Sequence, residues 1–255
     1  MNIRGEKMRK ICVINQKGGV GKTTTAVNLA TGLARKKQKV LVMDIDPQGN
    51  ISTCLGKSCS KDMYELLVNN AKPKDIALEI EPNLFIITSS GRLAEAESIM
   101  MGRPNRERIL SRAMDELTED DFDFVIIDCP PSINLLNQNA LLYADEAIIP
   151  SATEKLSFIG LQKMIDVIDE YNNLFDHDLV IGGILPTMYD RRNRVCVEVL
   201  GEMEAKFNGM TLDPIRVNSK LIEAPGYSKS IFDYAKSSRG AQDYKALVDF
   251  VIKND

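Results

Sequence analysis

Residues Asn15 to Thr25 read NQKGGVGKTTT and place two lysines, three glycines and three threonines in one short run. Those residue types in that order suit an anion with several phosphates. Gly18, Gly19 and Gly21 permit positive φ and let backbone N–H groups close in on oxygens. Lys22 supplies a point charge for β- and γ-phosphates, and the Thr23 hydroxyl suits Mg2+. Val20 and Thr24 complete the stretch whose backbone would face the phosphates. The common spelling of such a loop, G-x-x-x-x-G-K-[ST], puts glycine at position 16. This chain has Gln16 there, followed by Lys17, a second cation that one bound nucleotide does not require.

Three aspartates follow at places that fit the same chemistry. MDIDPQGN carries Asp44 and Asp46, and VIIDCPPS carries Asp128 at the end of an apolar run. Ligands of doubly wound sheets sit at the carboxyl ends of strands, so all three are expected to face the crevice of the loop. Asp128 is expected to hold Mg2+ directly or through water, with Thr23 and Asp46 as the other metal candidates.

The elements that must position these residues read as alternating strands and helices. KICVIN, KVLVMDID, NLFIITSS, FDFVIIDCP, EAIIPS and LVIGGILPT are short apolar runs suited to strands buried on both faces. TTTAVNLATGLARKK, LNQNALLYA, LSFIGLQKMIDVIDEYNNLF, RNRVCVEVLGEMEAKF and RGAQDYKALVDFVIKN carry helical patterns. The polar stretch from Gly56 to Lys74 reads as a short helical excursion. The fold class expected is α/β: a doubly wound, mostly parallel sheet flanked by helices, of the P-loop NTPase type. One domain over 1–255 is expected, with 1–9 as a short basic tail.

Composition narrows the chemistry. The 255 residues are 44% hydrophobic and 27% charged, ordinary for a globular chain, with net charge −4. Nucleic-acid binding would need a local basic patch. The five cysteines are scattered with no C-x-x-C pair, which argues against a disulfide framework or a zinc or iron–sulfur site. One histidine, His177, leaves no basis for Ser–His–Asp chemistry. ICVIN is too short for a signal h-region or a membrane span, so a cytoplasmic protein is expected.

The motifs together resemble the ParA/Soj family of ATPases, relatives of MinD with a deviant Walker A motif. KGGVGKTTT matches the signature loop, MDIDPQGN the D-x-D-P-Q-G-N element and VIIDCPPS the Walker B strand. LIEAP and SSRGAQDY resemble the family's LSEAP and SRGAxxY segments. The resemblance covers the chain from Lys10 onward. It implies an ATP hydrolase that dimerises with ATP, slow until stimulated by DNA and a ParB-like centromere-binding partner, and associated with the nucleoid. Its cofactors would be ATP and Mg2+, and its role DNA partitioning.

Residue by residue, the resemblance makes Lys17 a signature lysine that reaches the partner subunit's nucleotide. Gly18 would lie where two backbones meet. Lys22 and Thr23 would hold ATP and Mg2+ within one subunit, Asp46 would orient the attacking water, and Asp44 would support it. Lys17, Lys22, Asp46 and Asp44 form the expected catalytic set. Thr187–Met188 and the segment from Pro214 to Asn218 would form the adenine pocket. The ATP dimer would bind double-stranded DNA non-specifically through Arg191, Arg192, Arg194, Arg216 and Lys220, within a wider basic set that includes Arg239. Two departures stand out: Lys220 replaces an arginine, keeping charge without the bidentate fork, and the family's I-P-R-N reads IRVN here.

Rival readings fit less well. A MinD-like regulator of cell division would need a basic amphipathic membrane helix at the C-terminus, and ALVDFVIKND has only a weak basic face, so no stable membrane binding is expected. A nitrogenase iron protein needs paired cluster cysteines, and Cys129 stands alone. A small-molecule ATP-dependent synthetase, like the dethiobiotin synthetase relatives, needs polar groups for a second substrate. A bacterial tyrosine kinase usually carries a tyrosine-rich tail, and Tyr244 is single in the last helix.

Overall fold

The computed structural model describes residues 7–254. Among these residues seven strands form one sheet: β1 (Arg9–Val13), β2 (Val40–Asp44), β3 (Leu78–Glu81), β4 (Leu84–Ile87), β5 (Phe124–Asp128), β6 (Glu146–Ala152) and β7 (Val180–Thr187). Their order is β3-β4-β2-β5-β1-β6-β7. Every pairing is parallel except β3 with β4. The six expected strands are present. The seventh, β3, was not expected, because LEIE is polar and largely exposed, with no buried run to betray it.

Among the described residues twelve α-helices connect and cover the strands. In chain order α1 is Lys22–Arg35, α2 Asn50–Leu55, α3 Met63–Asn69, α4 Pro73–Ile76, α5 Leu93–Met101 and α6 Ile109–Ala113. They continue as α7 (Leu135–Tyr143), α8 (Lys155–Phe175), α9 (Arg194–Lys206), α10 (Ser219–Glu223), α11 (Ile231–Tyr234) and α12 (Arg239–Lys253). The excursion from Gly56 to Lys74 holds α3, capped by the Asp62 side chain on the Tyr64 N–H. Of the tail expected over 1–9, residues 1–6 lie outside the described residues, whereas Met8 is buried and Arg9 opens β1.

The strand period of two divides the core. Cys12, Leu41, Met43, Val125 and Ile127 point to one face, packed with residues of α3, α5, α7, α8 and α9. Ile11, Val13, Val40, Val42, Phe124 and Ile126 point to the other, covered by α1, α11 and α12. Burial on both faces is why these strands are apolar throughout. Tyr244, Leu247, Val248 and Val251 of α12 are buried in that second core, so its apolar side is packing surface.

Strand β1 lies between β5 and β6, with β2 beyond β5. The loops after β1, β2 and β5 therefore open at one end of the sheet. At the opposite lateral edge the chain from Met210 to Val217 runs beside β7. Ile184 N–H bonds the Met210 carbonyl at 2.8 Å, and Ile215 N–H bonds the Pro186 carbonyl at 2.8 Å. Tyr189 and Arg216 form a further parallel bridge, which brings the C-terminal motifs next to the loop.

Candidate active site

Strand β1 ends at Val13, and Asn15 begins the loop fully buried. Asn15 Nδ2 donates to the Pro150 carbonyl at 2.7 Å, and its Oδ1 accepts the Lys17 N–H at 2.9 Å. That side chain ties the loop to β6, a role the sequence reading missed because nothing local marks it. Gly19 and Gly21 adopt φ of +74° and +91°, and Gly21 is the N-cap of α1 with no side-chain cap. Gly18 does not use positive φ. A Cβ on Gly18 or Gly19 would meet nothing within 4 Å, so an incoming ligand can approach the backbone there.

Lys22 is buried, with Nζ donating to the Lys17 carbonyl at 3.1 Å. Burial pulls its ammonium below the ordinary value, against the attraction of Asp128, Cys129 and Asp46. Asp128 is fully buried, and neither carboxylate oxygen has a hydrogen bond of good geometry. The Thr23 hydroxyl faces it closely enough to draw its pKa down. Burial and then Asp44 nevertheless raise it well above the ordinary 3.8. An orphaned buried carboxyl beside a hydroxyl, a lysine and an uncapped helix N-terminus suits a divalent cation with phosphates. Among the described residues no three His, Cys, Asp or Glu side chains form a metal cluster by themselves. The cation would therefore take its remaining ligands from phosphate and water, with Thr23 and Asp128 as protein donors.

Asp44 and Asp46 differ in what they offer. Asp44 was expected among the catalytic groups, but its Oδ1 accepts the Asp46 N–H at 2.9 Å and its Oδ2 the Ile51 N–H at 3.0 Å. The turn folds back over the end of β2 and spends both oxygens on backbone amides. Asp44 therefore positions the turn that carries Asp46. Asp46 uses one oxygen, Oδ1, to take the Gln48 N–H at 3.0 Å.

Lys17 points away from Lys22. Its Nζ donates to Glu154 Oε2 at 2.8 Å and Ser157 Oγ at 2.7 Å, where α8 begins. Neither partner was flagged in the sequence, since the contact spans 137 residues. The exposed Ile133, Leu156 and Ile159 lie in the loop after β5 and the start of α8.

Next to the loop lies a cavity of about 400 Å3. Val20, Thr187, Ile215, Leu221, Pro225 and Tyr244 are among its apolar walls, with Gly21 and Thr24 on the loop side. Its dimensions and apolar character suit a nucleobase. Thr187 Oγ1 donates to the Val20 carbonyl at 2.9 Å and joins cavity to loop. Met188 and Asn218 line it as expected. Pro214 does not: the wall starts one residue later, at Ile215.

A second cavity of about 310 Å3 adjoins the first and shares Arg216 and Val217 with it. Arg191, Arg192 and Arg239 also line it. Arg192 is exposed and bound through Nε and Nη2 to Asp190, which holds that carboxyl down at about 2. Arg216 is engaged by Asp243, with Nη2 at 2.5 Å and Nε at 3.0 Å from Oδ1. Of the five basic residues expected to form a patch, Arg194 and Lys220 lie outside this cavity. Arg194 pairs with Glu198 and Lys220 with Glu223.

A family model described as an AAA domain matches residues 8–181. The sporulation initiation inhibitor protein Soj of Bacillus subtilis is 39% identical over 96% of this chain and 98% of its own. The chromosome partitioning protein ParA of Myxococcus xanthus is 37% identical over 97% and 89%. A cobyrinic acid a,c-diamide synthase of Mycobacterium smegmatis, solved with an ATP analogue and magnesium, is 30% identical. It superposes with a TM-score of 0.83, covering 97% of this chain and 95% of its own. With its two-lysine loop, its strand-end aspartates and full-length likeness to Soj and ParA, the chain belongs to the ParA/Soj family of ATPases.

Proposed function

We propose that the protein is an ATP-dependent dimerising switch that partitions DNA. ATP brings the phosphoanhydride to be hydrolysed, and Mg2+ neutralises its charge. Lys22, the loop amides and the α1 N-terminus hold the phosphates. Thr23 and Asp128 hold the cation, Asp46 orients water, and Asp44 fixes the turn beneath it. The base rests in the apolar cavity against Met188 and Asn218.

The observation that carries the switch is the divergence of the two lysines. Lys22 is buried toward its own site, and Lys17 is half exposed on the surface at α8. A second copy presenting its nucleotide there would draw Lys17 from Glu154 and Ser157. The exposed Ile133, Leu156 and Ile159 supply apolar contact around it. Dimerisation is thereby linked to ATP and undone by hydrolysis. The dimer binds double-stranded DNA without sequence preference through Arg191, Arg192 and their neighbours, and a ParB-like centromere-binding protein accelerates an otherwise slow turnover. The protein works in the cytoplasm on the nucleoid; no described helix is long and apolar enough to cross a membrane.

Sizing by light scattering with ATP, ADP or no nucleotide, with and without DNA, tests this reading. A dimer confined to the ATP state, with DNA retained only there, is expected. A monomer under all conditions refutes it. The likeness to the diamide synthase supports a second reading, an ATP-dependent small-molecule synthetase. Phosphate release stimulated by DNA with no other substrate separates the two.

A further inference from the structure

Three hydroxyl residues, Thr88, Ser89 and Ser90, follow β4, outside every phosphate motif of the chain. Ser89 is buried, and its Oγ donates to the main-chain carbonyl of Asp46. That carbonyl also receives the Gly49 N–H at 3.0 Å, so it is held from two directions. Gly49 itself runs at φ +64°, and a Cβ there would stand 3.0 Å from the Ser89 carbonyl. The end of β4 is thus pressed against the turn that carries Asp46. It is anchored in its own right: Ser90 Oγ donates to Asp62 at 2.6 Å, and the Thr88 carbonyl takes the Met63 N–H at 2.9 Å.

Asp44 grips the turn through the Asp46 and Ile51 N–H groups, and Ser89 grips it through the Asp46 carbonyl. One peptide unit on either side of the Asp46 Cα is therefore fixed. We propose that Ser89 is a positioning residue for ATP hydrolysis, holding the Asp46 backbone so that its carboxylate faces the attacking water. This rests on Asp46 as the water-orienting group. A small displacement of such a group costs one to two orders of magnitude in rate. Ser89 touches neither the phosphate loop nor the base cavity, so ground-state nucleotide binding does not depend on it.

The test is ATP turnover of the full chain with DNA, beside binding of a fluorescent ATP analogue. Ser89→Ala is expected to lower kcat about tenfold while KM and analogue affinity change less than about twofold. Ser89→Thr, which keeps the hydroxyl, is expected to restore most of the rate. Ser90→Ala removes only the bond to Asp62 and is expected to loosen the fold without a matching loss of kcat. Wild-type kcat in Ser89→Ala, a loss shared equally by Ser90→Ala, or no recovery in Ser89→Thr overturns the proposal. Asp46→Ala keeps the two ideas apart. If it too hydrolyses ATP normally, the Asp46 assignment is what fails; if it traps the ATP dimer while Ser89→Ala is normal, only Ser89 is refuted.

Discussion

Asp44 and Asp128 are register partners at the carboxyl ends of β2 and β5, yet only Asp44 has its oxygens satisfied. The unsatisfied member is the one that faces Thr23 and Lys22. Two neighbouring carboxyls thus do different work. One secures a turn, and the other, in the function proposed above, would turn its lone pairs to a cation.

Asp128→Asn keeps the shape of the side chain and removes its charge. Affinity for ATP with Mg2+ is expected to fall at least about tenfold, while affinity for ATP in chelator changes little. Titration with a fluorescent analogue, with and without Mg2+, measures both. An intact Mg2+ dependence removes Asp128 from the metal site.

Burial, helped by the neighbouring Asp46 charge, raises the Asp44 carboxyl to about 7, outweighing the amide bonds from Ile51 and Asp46 and the nearby Ser89 hydroxyl. The folded state therefore keeps a proton that the unfolded chain releases near the ordinary 3.8. The stability this contributes is fully present below 3.8 and is lost as pH rises through about 7. Nucleotide-free protein should unfold at a lower temperature above that window than below it. Asp44→Asn should flatten the dependence, and an unchanged slope in thermal melts refutes the assignment.

Lys17→Ala should bind ATP and stay monomeric in sizing experiments. Glu154→Gln removes the charge that holds Lys17 in the single subunit. The pair is exposed, so its contribution is small, on the order of 0.2–1 kcal/mol. The ATP concentration for half-dimerisation should fall no more than about fivefold. A rise instead would place Glu154 inside the dimer contact.

Among the arginines the structure separates two behaviours. Arg191→Ala and Arg192→Ala should each reduce the salt dependence of DNA binding by about one unit of slope. Arg216 is locked to Asp243 on the wall shared with the base cavity. Arg216→Ala should weaken ATP binding more than DNA binding at fixed salt. The reverse order would return Arg216 to the DNA surface.

Legibility in the sequence followed the range of the interactions. Gly19, Gly21, Lys22 and Thr23 sit in a local strand–turn–helix, a geometry that spacing alone can read. Apolar β1, β2 and β5 announced themselves through burial on both faces. Asn15 with Pro150, Lys17 with Glu154 and Ser89 with Asp46 join segments far apart in the chain. No periodicity encodes such pairs. Asp44 was expected to support Asp46, but the spacing of D-x-D does not reveal which backbone amides its oxygens take to do so. Pro214 lies one residue short of the cavity wall, a boundary that the family spacing does not resolve.

The N-terminus of α1 has a glycine where six other helices among the described residues carry a capping side chain. That helix also supplies eleven buried residues to the molecule, so its first turn is no peripheral detail. In the function proposed above, phosphates bound by the loop would be the cap the sequence leaves out. Nucleotide would then be part of the architecture as well as the fuel, and saturating it is expected to raise resistance to heat and proteases.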